Sequence, residues 1–337
     1  MLARYSPSIH YPFPDTTCPD GQDVDWSRFA YVQYVTNAAY LCNAVMMFES
    51  LHRLKAKAGG LMLYPRQWES DENLPRETAQ LLRKAKEEYN VDLNPIELVN
   101  GGGDPTWAES FTKLLIFNQT QYSRVLLLDS DATVLQPPDE LFLMPSAPVA
   151  MPRAYWLDRT MSAQLILVEP SDFEWARIEA GIANHTSKEF DMEIVNQLYA
   201  EDCIAIPHRR YDLLTGEFRN APDDHRKYLG STEEVWDPDK VWNEARYIHF
   251  SDWPFPKPWI DGGDKARLDR MPECRKKPGS EAEDCRDQQY WLRLYHDFSH
   301  RRLVYPDDFG KVDGSSQDYF GTASPPTIRQ WRKFSEW

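Results

Sequence analysis

The chain has 337 residues, 42% of them hydrophobic and 27% charged, enough for one large core or one core with an appendage. Its formal net charge of -15 is spread along the length, which excludes a nucleic-acid groove, because phosphate backbones are held by clustered Lys and Arg. No stretch approaches the roughly 18 consecutive apolar residues of a membrane span, and the opening MLARYSPSIHYPFPD lacks the apolar centre of a signal peptide. The protein is expected either to be cytosolic or to have a targeting segment outside this chain.

Residues 1–28 are rich in Pro and Asp and read as an irregular lead-in. The run YVQYVT (31–36) predicts a strand, and Leu41, Val45, Phe48 and Leu51 then share one face of a helix that ends near KAGG. LMLYP (61–65) predicts a second strand, RETAQLLRKAKEEY (76–89) a charged amphipathic helix, and PIELV (95–99) a third strand. WAESFTKLLIFNQ (107–119) reads as helical, RVLLLD (124–129) as a fourth strand and LILVE (165–169) as a later one. Alternation of this kind predicts an α/β fold with a mostly parallel central sheet flanked by helices, and such sheets bind ligands at the carboxyl ends of their strands. From about residue 262 the pattern changes to charged segments with one clear helix, RDQQYWLRLYHDF (286–298). The expected organisation is a lead-in over 1–28, one catalytic domain over 29–262, and an extension over 263–337 packed on that domain.

Neither GxGxxG nor GxxxxGK[ST] occurs, and Gly101-Gly102-Gly103 before Asp104-Pro105 reads as a loop, not a phosphate cradle. The five cysteines, Cys18, Cys42, Cys203, Cys274 and Cys285, show no metal-type pairing, so a zinc site is not expected. Cys274 and Cys285 bracket a polar loop, where a disulfide would help most. Asn118-Gln119-Thr120 and Asn184-His185-Thr186 are glycosylation sequons, which with that pair lean towards an oxidising compartment. The 12 Trp, 17 Tyr and 15 Phe supply core packing first, and beyond it faces on which sugars stack.

The chemistry-bearing feature is Asp129-Ser130-Asp131, placed where an apolar strand ends. Two carboxylates one residue apart at a turn can both face a cleft, where they repel each other and burial raises their pKa values. A divalent cation resolves that conflict, and oxygen-rich sites suit magnesium or manganese, which keep few protein ligands and bridge to substrate phosphates. Taken in isolation, so short a pair reads more readily as a solvated turn in which Asp131 caps the next segment.

The surrounding sequence settles the choice by resemblance. RVLLLDSDATVLQPPDELF, with FTKLLIFNQTQYSRV ahead of it, resembles glycosyltransferase family 8, and the likeness runs in order over roughly residues 30–260. YVTNAAYLCNAVMMFESL is similar to that family's opening strand and nucleotide-binding turn, DMEIVN (191–196) to its DQxxLN segment, and YIHFSDWPFPKPW (247–259) to its HF...KPW segment. The resemblance implies a retaining transferase of the GT-A fold that uses a UDP-sugar and manganese, with magnesium as the substitute. Asp129, Asp131 and His249 would then hold the metal. Thr36, Asn37 and Tyr40 would hold the uridine, with Tyr40 stacked on the base. Lys113 and Lys257 would touch the donor sugar or diphosphate, with Ser130 between the metal ligands and Trp259 near the donor and acceptor. Asp191 would lie beside the reacting sugar, and Glu193, next to Met192, reads either as a polar or stabilising group or as a surface helix residue.

Three departures from the family pattern concern sugar contacts. Met192 stands where the family usually has Gln, Ser162 where it often has Asn, and the segment from His249 to Lys257 is two residues longer than in glycogenin, with Asp252 and Trp253 where Gly is expected. FAYVQYVTNAAYLCNAVMMFESLHRL and HRRYDLLTGEFR look most like the fungal branch that includes Golgi N-acetylglucosaminyltransferases. That implies N-acetylglucosamine as the sugar, a glycan or glycoprotein acceptor, no nucleic acid, and the Golgi lumen as location, with membrane attachment only through an anchor not in this chain. The competing expectations are a glycogenin-like UDP-hexose transferase, a cytoplasmic location, and a catalytically weak sugar-binding protein on the same fold.

Overall fold

The computed structural model describes residues 24–101, 109–157, 159–252, 255–260, 268–276 and 281–307. Most of the lead-in therefore lies outside the described residues, as do Cys18, Gly102, Gly103 and Trp253.

Seven strands form the central sheet in the order β3-β2-β1-β4-β7-β6-β8. These are β1 (Phe29–Tyr34), β2 (Gly59–Pro65), β3 (Val91–Ile96), β4 (Arg124–Leu128), β6 (Val149–Pro152), β7 (Leu165–Val168) and β8 (Ile204–Ile206). The first four to pair, β3, β2, β1 and β4, run parallel, while β7 is antiparallel to both β4 and β6. Being covered on both faces, the central strands need no alternation, and RVLLL and LILV are correspondingly continuous apolar runs.

Helices α1 (Ala38–Arg53) and α2 (Arg76–Tyr89) cover one face. The expected stripe Leu41, Val45, Phe48 and Leu51 is buried there, and α2 occupies the predicted residues, buries Thr78, Leu81 and Ala85, and ends at Asn90 in the left-handed region with φ 53°. Helices α3 (Asp172–Asn184) and α4 (Asp191–Tyr199) cover the other face.

Two expectations shift. The third strand begins at Val91, not at residue 95, because its register is set by pairing with β2, Val91 opposite Gly60. Pro95 is tolerated within it because β3 is the sheet edge, where a missing N–H costs nothing on the open side. The segment predicted as a helix over 107–119 is a 3-10 helix over Ser110–Asn118 in the described residues, closed by bonds such as Thr112 N–H to Glu109 carbonyl at 3.0 Å. Phe111, Thr112, Lys113, Leu114, Ile116 and Phe117 are all buried, so the segment does not show the single apolar stripe of an amphipathic α-helix.

The helix predicted over 286–298 runs further, as Arg286–Asp307, and Trp291, Leu294, Tyr295 and Phe298 bury themselves against Phe250, Phe255 and the α1 side of the core. Just before it, Cys274 and Cys285 are joined by a disulfide that closes a loop of sequence separation 11 beside a two-stranded ribbon, β11 (Arg275–Lys276) with β12 (Glu283–Asp284). Closing so short a loop removes chain entropy from the unfolded state worth about 2 to 3 kcal/mol. Cys274→Ser is accordingly expected to lower the unfolding free energy by about that amount in denaturant titration, and an unchanged midpoint would refute a stabilising role. Among the described residues, no helix is long and apolar enough to cross a membrane.

Candidate active site

The apolar strand β4 ends at Leu128, and Asp129, Ser130 and Asp131 form the turn into β5 (Ala132–Val134). Two backbone contacts fix that turn: Asp129 N–H donates to the Gln164 carbonyl at 2.9 Å, and Phe250 N–H donates to the Asp131 carbonyl at 2.9 Å. A small second sheet brings in the third side chain. In it β10 (Tyr247–His249) pairs antiparallel with β5, His249 opposite Ala132, and parallel with β9 (Leu213–Leu214) on its other side. Because β5 starts right after Asp131, this register forces His249 against the aspartate across 118 residues of sequence, with Nε2 3.0 Å from Asp131 Oδ1.

Ligand atoms of Asp129, Asp131 and His249 all lie within 4.8 Å of one another. Two oxygens and an imidazole suit a divalent manganese or magnesium ion. Spare donor capacity is present as well: Asp129 Oδ1 accepts no well-formed hydrogen bond and faces the Lys113 ammonium, and His249 Nδ1 is buried without a partner. Burial lowers the His249 pKa, outweighing the opposite pull of Asp131, so the ring is neutral and competent to bind metal. These residues fit a divalent cation.

The carboxylates divide by environment. Burial raises Asp129, Lys113 holds it down, and the net value is about 7. For Asp131 burial also raises the pKa, but His249 and Lys257 outweigh it and hold the carboxyl well below its ordinary value. A cation must therefore displace a proton from Asp129 below about pH 7, so manganese affinity is expected to rise with pH and level off above about 7. Calorimetry from about pH 6 to about pH 8 checks this; an affinity that falls as pH rises would contradict it.

Two lysines were expected at the donor, and they differ. Lys113 Nζ lies 3.0 Å from both Asp129 and Asp191 and donates to the Ala163 carbonyl at 3.1 Å, with a side chain 7% exposed. Burial opposes its charge, yet Asp129 and Asp191 outweigh burial and keep it protonated, so its first task is to neutralise the acidic cluster from behind. Lys257 Nζ reaches Asp131 Oδ2 at 2.8 Å and also bonds the Phe250 carbonyl, with a side chain 32% exposed, so it can meet a ligand in the cleft.

Asp191 opens α4 and is buried beside Lys113. Glu193 does not join it: as the third residue of α4 it accepts the Phe190 N–H at 3.0 Å and caps its own helix. Asn37 caps α1, its Oδ1 accepting from Ala39 N–H at 3.0 Å and Tyr40 N–H at 3.2 Å, while its amide donates to Thr36 Oγ1 at 3.4 Å. That cap holds Tyr40 in the first turn, 39% exposed, with its ring 6.1 Å from Trp259 at 72°. Partial burial and the fields of Asp131 and Asp129 raise the Tyr40 pKa. Ser130 is buried between the two aspartates.

Two supporting residues escaped sequence reasoning. Tyr247 donates its hydroxyl towards the Asp129 carbonyl at 3.2 Å and the Gln164 carbonyl at 3.1 Å; its position two residues before His249, on the same strand face, was the available signal. Asp212 is wholly buried, neither of its carboxylate oxygens has a hydrogen-bond partner among the described residues, and burial raises its carboxyl well above the ordinary range. Ser162 is itself fully buried, which keeps it from the exposed surface where a ligand would arrive.

No family model matches the chain. A curated relative from Aspergillus fumigatus, glucose N-acetyltransferase 1, is 45% identical over 308 residues, covering 85% of this chain and 79% of the relative. The chain belongs to the glucose N-acetyltransferase 1 family. The Gibberella zeae member is 51% identical over 298 residues, covering 86% of this chain, and the chain spans 65% of that relative's length. Among solved structures, apo GlyE, a glycosyltransferase of Streptococcus pneumoniae, superposes with a TM-score of 0.50 at 16% identity, over 83% of this chain and 63% of that one. The likeness shows the fold: a GT-A glycosyltransferase architecture, as the family 8 resemblance implied.

Proposed function

We propose that the chain is a metal-dependent retaining glycosyltransferase that moves N-acetylglucosamine from a UDP-sugar to a glycan acceptor with an α-linkage. The observation that carries the reading is the convergence of Asp129, Asp131 and His249, with Lys257 on the open side, at the end of β4. The relatives' name joins glucose to an N-acetyl group, and a glycosyltransferase fold makes transfer of the whole N-acetylglucosamine unit the reading that reconciles name and fold.

A divalent cation at Asp129, Asp131 and His249, manganese first and magnesium as substitute, would neutralise charge on the departing diphosphate. Lys257 adds a second positive charge that acts most strongly as the bond breaks. Tyr40 stacks on uracil against the wall made by Trp259, and the α1 cap at Thr36 and Asn37 presents backbone groups to the base edge. The bond between the anomeric carbon and the diphosphate oxygen breaks while the acceptor hydroxyl attacks from the same face, and its proton passes to the departing phosphate. Asp191 orients the donor hydroxyls, with Lys113 holding it in place, and Met192 offers no nucleophile for a covalent route.

The exposed sequon residues Asn118 and Asn184, the disulfide and the relatives together support a lumenal location in the Golgi. UDP release with manganese, compared across UDP-GlcNAc, UDP-glucose, UDP-galactose and UDP-xylose in the presence of glycan acceptors, tests the proposal. UDP-GlcNAc is expected to turn over fastest; preference for another sugar would reject the donor assignment.

A further inference from the structure

The stretch from His249 to Lys257 carries a candidate metal ligand at one end and the diphosphate lysine at the other, and within it the Asp252 carbonyl accepts the Phe255 N–H at 2.8 Å, which ties Asp252 to the chain just before the lysine. The Asp252 side chain has no exposed surface. A carboxylate taken out of water is costly unless donors surround it, and four donors converge on this one. The hydroxyls of Thr215 and Tyr295 donate to Oδ2, the latter at 2.6 Å, and Arg219 Nη1 and the Trp291 indole N–H each donate to Oδ1 at 3.3 Å. Thr215 also accepts the Ser251 N–H at 3.1 Å, and a Cβ on neighbouring Gly216 would come within 2.9 Å of the Ser251 carbonyl, so the two segments are pressed together.

Two of those donors, Trp291 and Tyr295, belong to the C-terminal helix, which also grips the chain on both sides of Lys257. The Phe255 ring packs 5.4 Å from Trp291 and 5.2 Å from Tyr295, and Ser299 Oγ donates to the Pro258 carbonyl at 2.8 Å. The Trp259 ring lies 5.6 Å from Phe298, and Arg302, 5.9 Å from the Trp259 ring centre, donates to the Ala39 carbonyl at 2.9 Å in the first turn of α1. One helix thus ties the lysine segment to the turn that carries Tyr40.

We infer that Asp252 is a positioning residue for Lys257, and that through it the C-terminal helix is part of the donor site. The inference rests on the function proposed above, in which Lys257 stabilises the departing diphosphate. Asp252 touches no reacting atom. Its four donors fix the backbone from which the lysine reaches into the cleft, and a displacement of about 1 Å there is enough to lower turnover by up to about a hundredfold.

Asp252→Asn keeps the side-chain shape but turns one acceptor into a donor that faces other donors. In this variant kcat is expected to fall about ten- to a hundredfold, with UDP affinity by calorimetry and donor KM changed less than about threefold. The deciding readout is coupling: in a Lys257→Ala background the same change should cost no further kcat, because the lysine it positions is gone. An undiminished kcat in Asp252→Asn, or a loss that multiplies fully with that of Lys257→Ala, would overturn the inference. Should Asp252→Asn fail to fold, Tyr295→Phe decides, since it removes one donor and leaves no sizeable cavity. A fall in kcat that vanishes in the Lys257→Ala background supports the inference, and an unchanged kcat overturns it. Wild-type kcat in Lys257→Ala alone would reject the proposed function itself, and with it this role.

Discussion

Asp131→Asn is expected to cut sugar transfer by about a hundredfold or more and to remove most manganese binding, on the scale at which a single electrostatic stabiliser acts. Asp131 sits between His249 at 3.0 Å and Lys257 at 2.8 Å, so it organises both halves of the charge that would meet the diphosphate. Its replacement leaves the imidazole neutral, because burial already depresses that pKa, and takes the ion pair from the lysine, which keeps only its bond to the Phe250 carbonyl. The fold should persist. The turn is held by backbone bonds from Asp129 to Gln164 and from Phe250 to Asp131, neither of which uses the side chain. Steady-state turnover, manganese calorimetry and a melting curve on one preparation check the three statements together. Normal manganese affinity in the folded variant would remove Asp131 from the metal site.

Asp191→Ala is expected to slow transfer by about a hundred- to a thousandfold while UDP and manganese binding stay within a few-fold of normal. Asp191 is buried, 3.0 Å from Lys113, and does not belong to the trio whose ligand atoms converge. Its loss leaves Lys113 paired with Asp129, so no lone charge is stranded in the core. A role confined to the reacting sugar therefore predicts a fall in kcat with little change in nucleotide affinity. Because a same-face attack needs no covalent sugar, mass spectrometry should find none on the variant, and NMR of the first-formed wild-type product should show an α-linkage. A β-linked product would reject the stereochemistry, and full activity in Asp191→Ala would reject the residue.

Much of this was legible in the sequence wherever local chemistry decided structure. The unbroken apolar run before Asp129 named a buried strand, and the acidic turn after it marked the strand end where ligands gather. The stripe of Leu41, Val45, Phe48 and Leu51 and the whole of α2 followed from helical periodicity. What periodicity could not reach was set by contacts distant in sequence. The partnership of His249 with Asp131 depends on antiparallel pairing of β10 with β5, and resemblance alone pointed to it from the sequence. The start of β3 is fixed by register with β2, and the segment around Lys113 buries polar Thr112 and Lys113 together with its apolar residues, which periodicity does not foretell. Asp252 stands where the family pattern has Gly, and its role depends on Thr215, Arg219, Trp291 and Tyr295, which surround it from distant parts of the chain. Glu193 shows the converse. Its place two residues after Asp191 suggests a polar role, yet on a helix residues i and i+2 do not face each other, and this one turns back to cap.

The most direct test of the account is UDP release from UDP-GlcNAc by the purified protein, with manganese and then with excess EDTA. The account predicts steady turnover with manganese, loss of nearly all of it in EDTA, and recovery when manganese is restored. Undiminished release in EDTA would contradict a metal site at Asp129, Asp131 and His249 and the mechanism built on it.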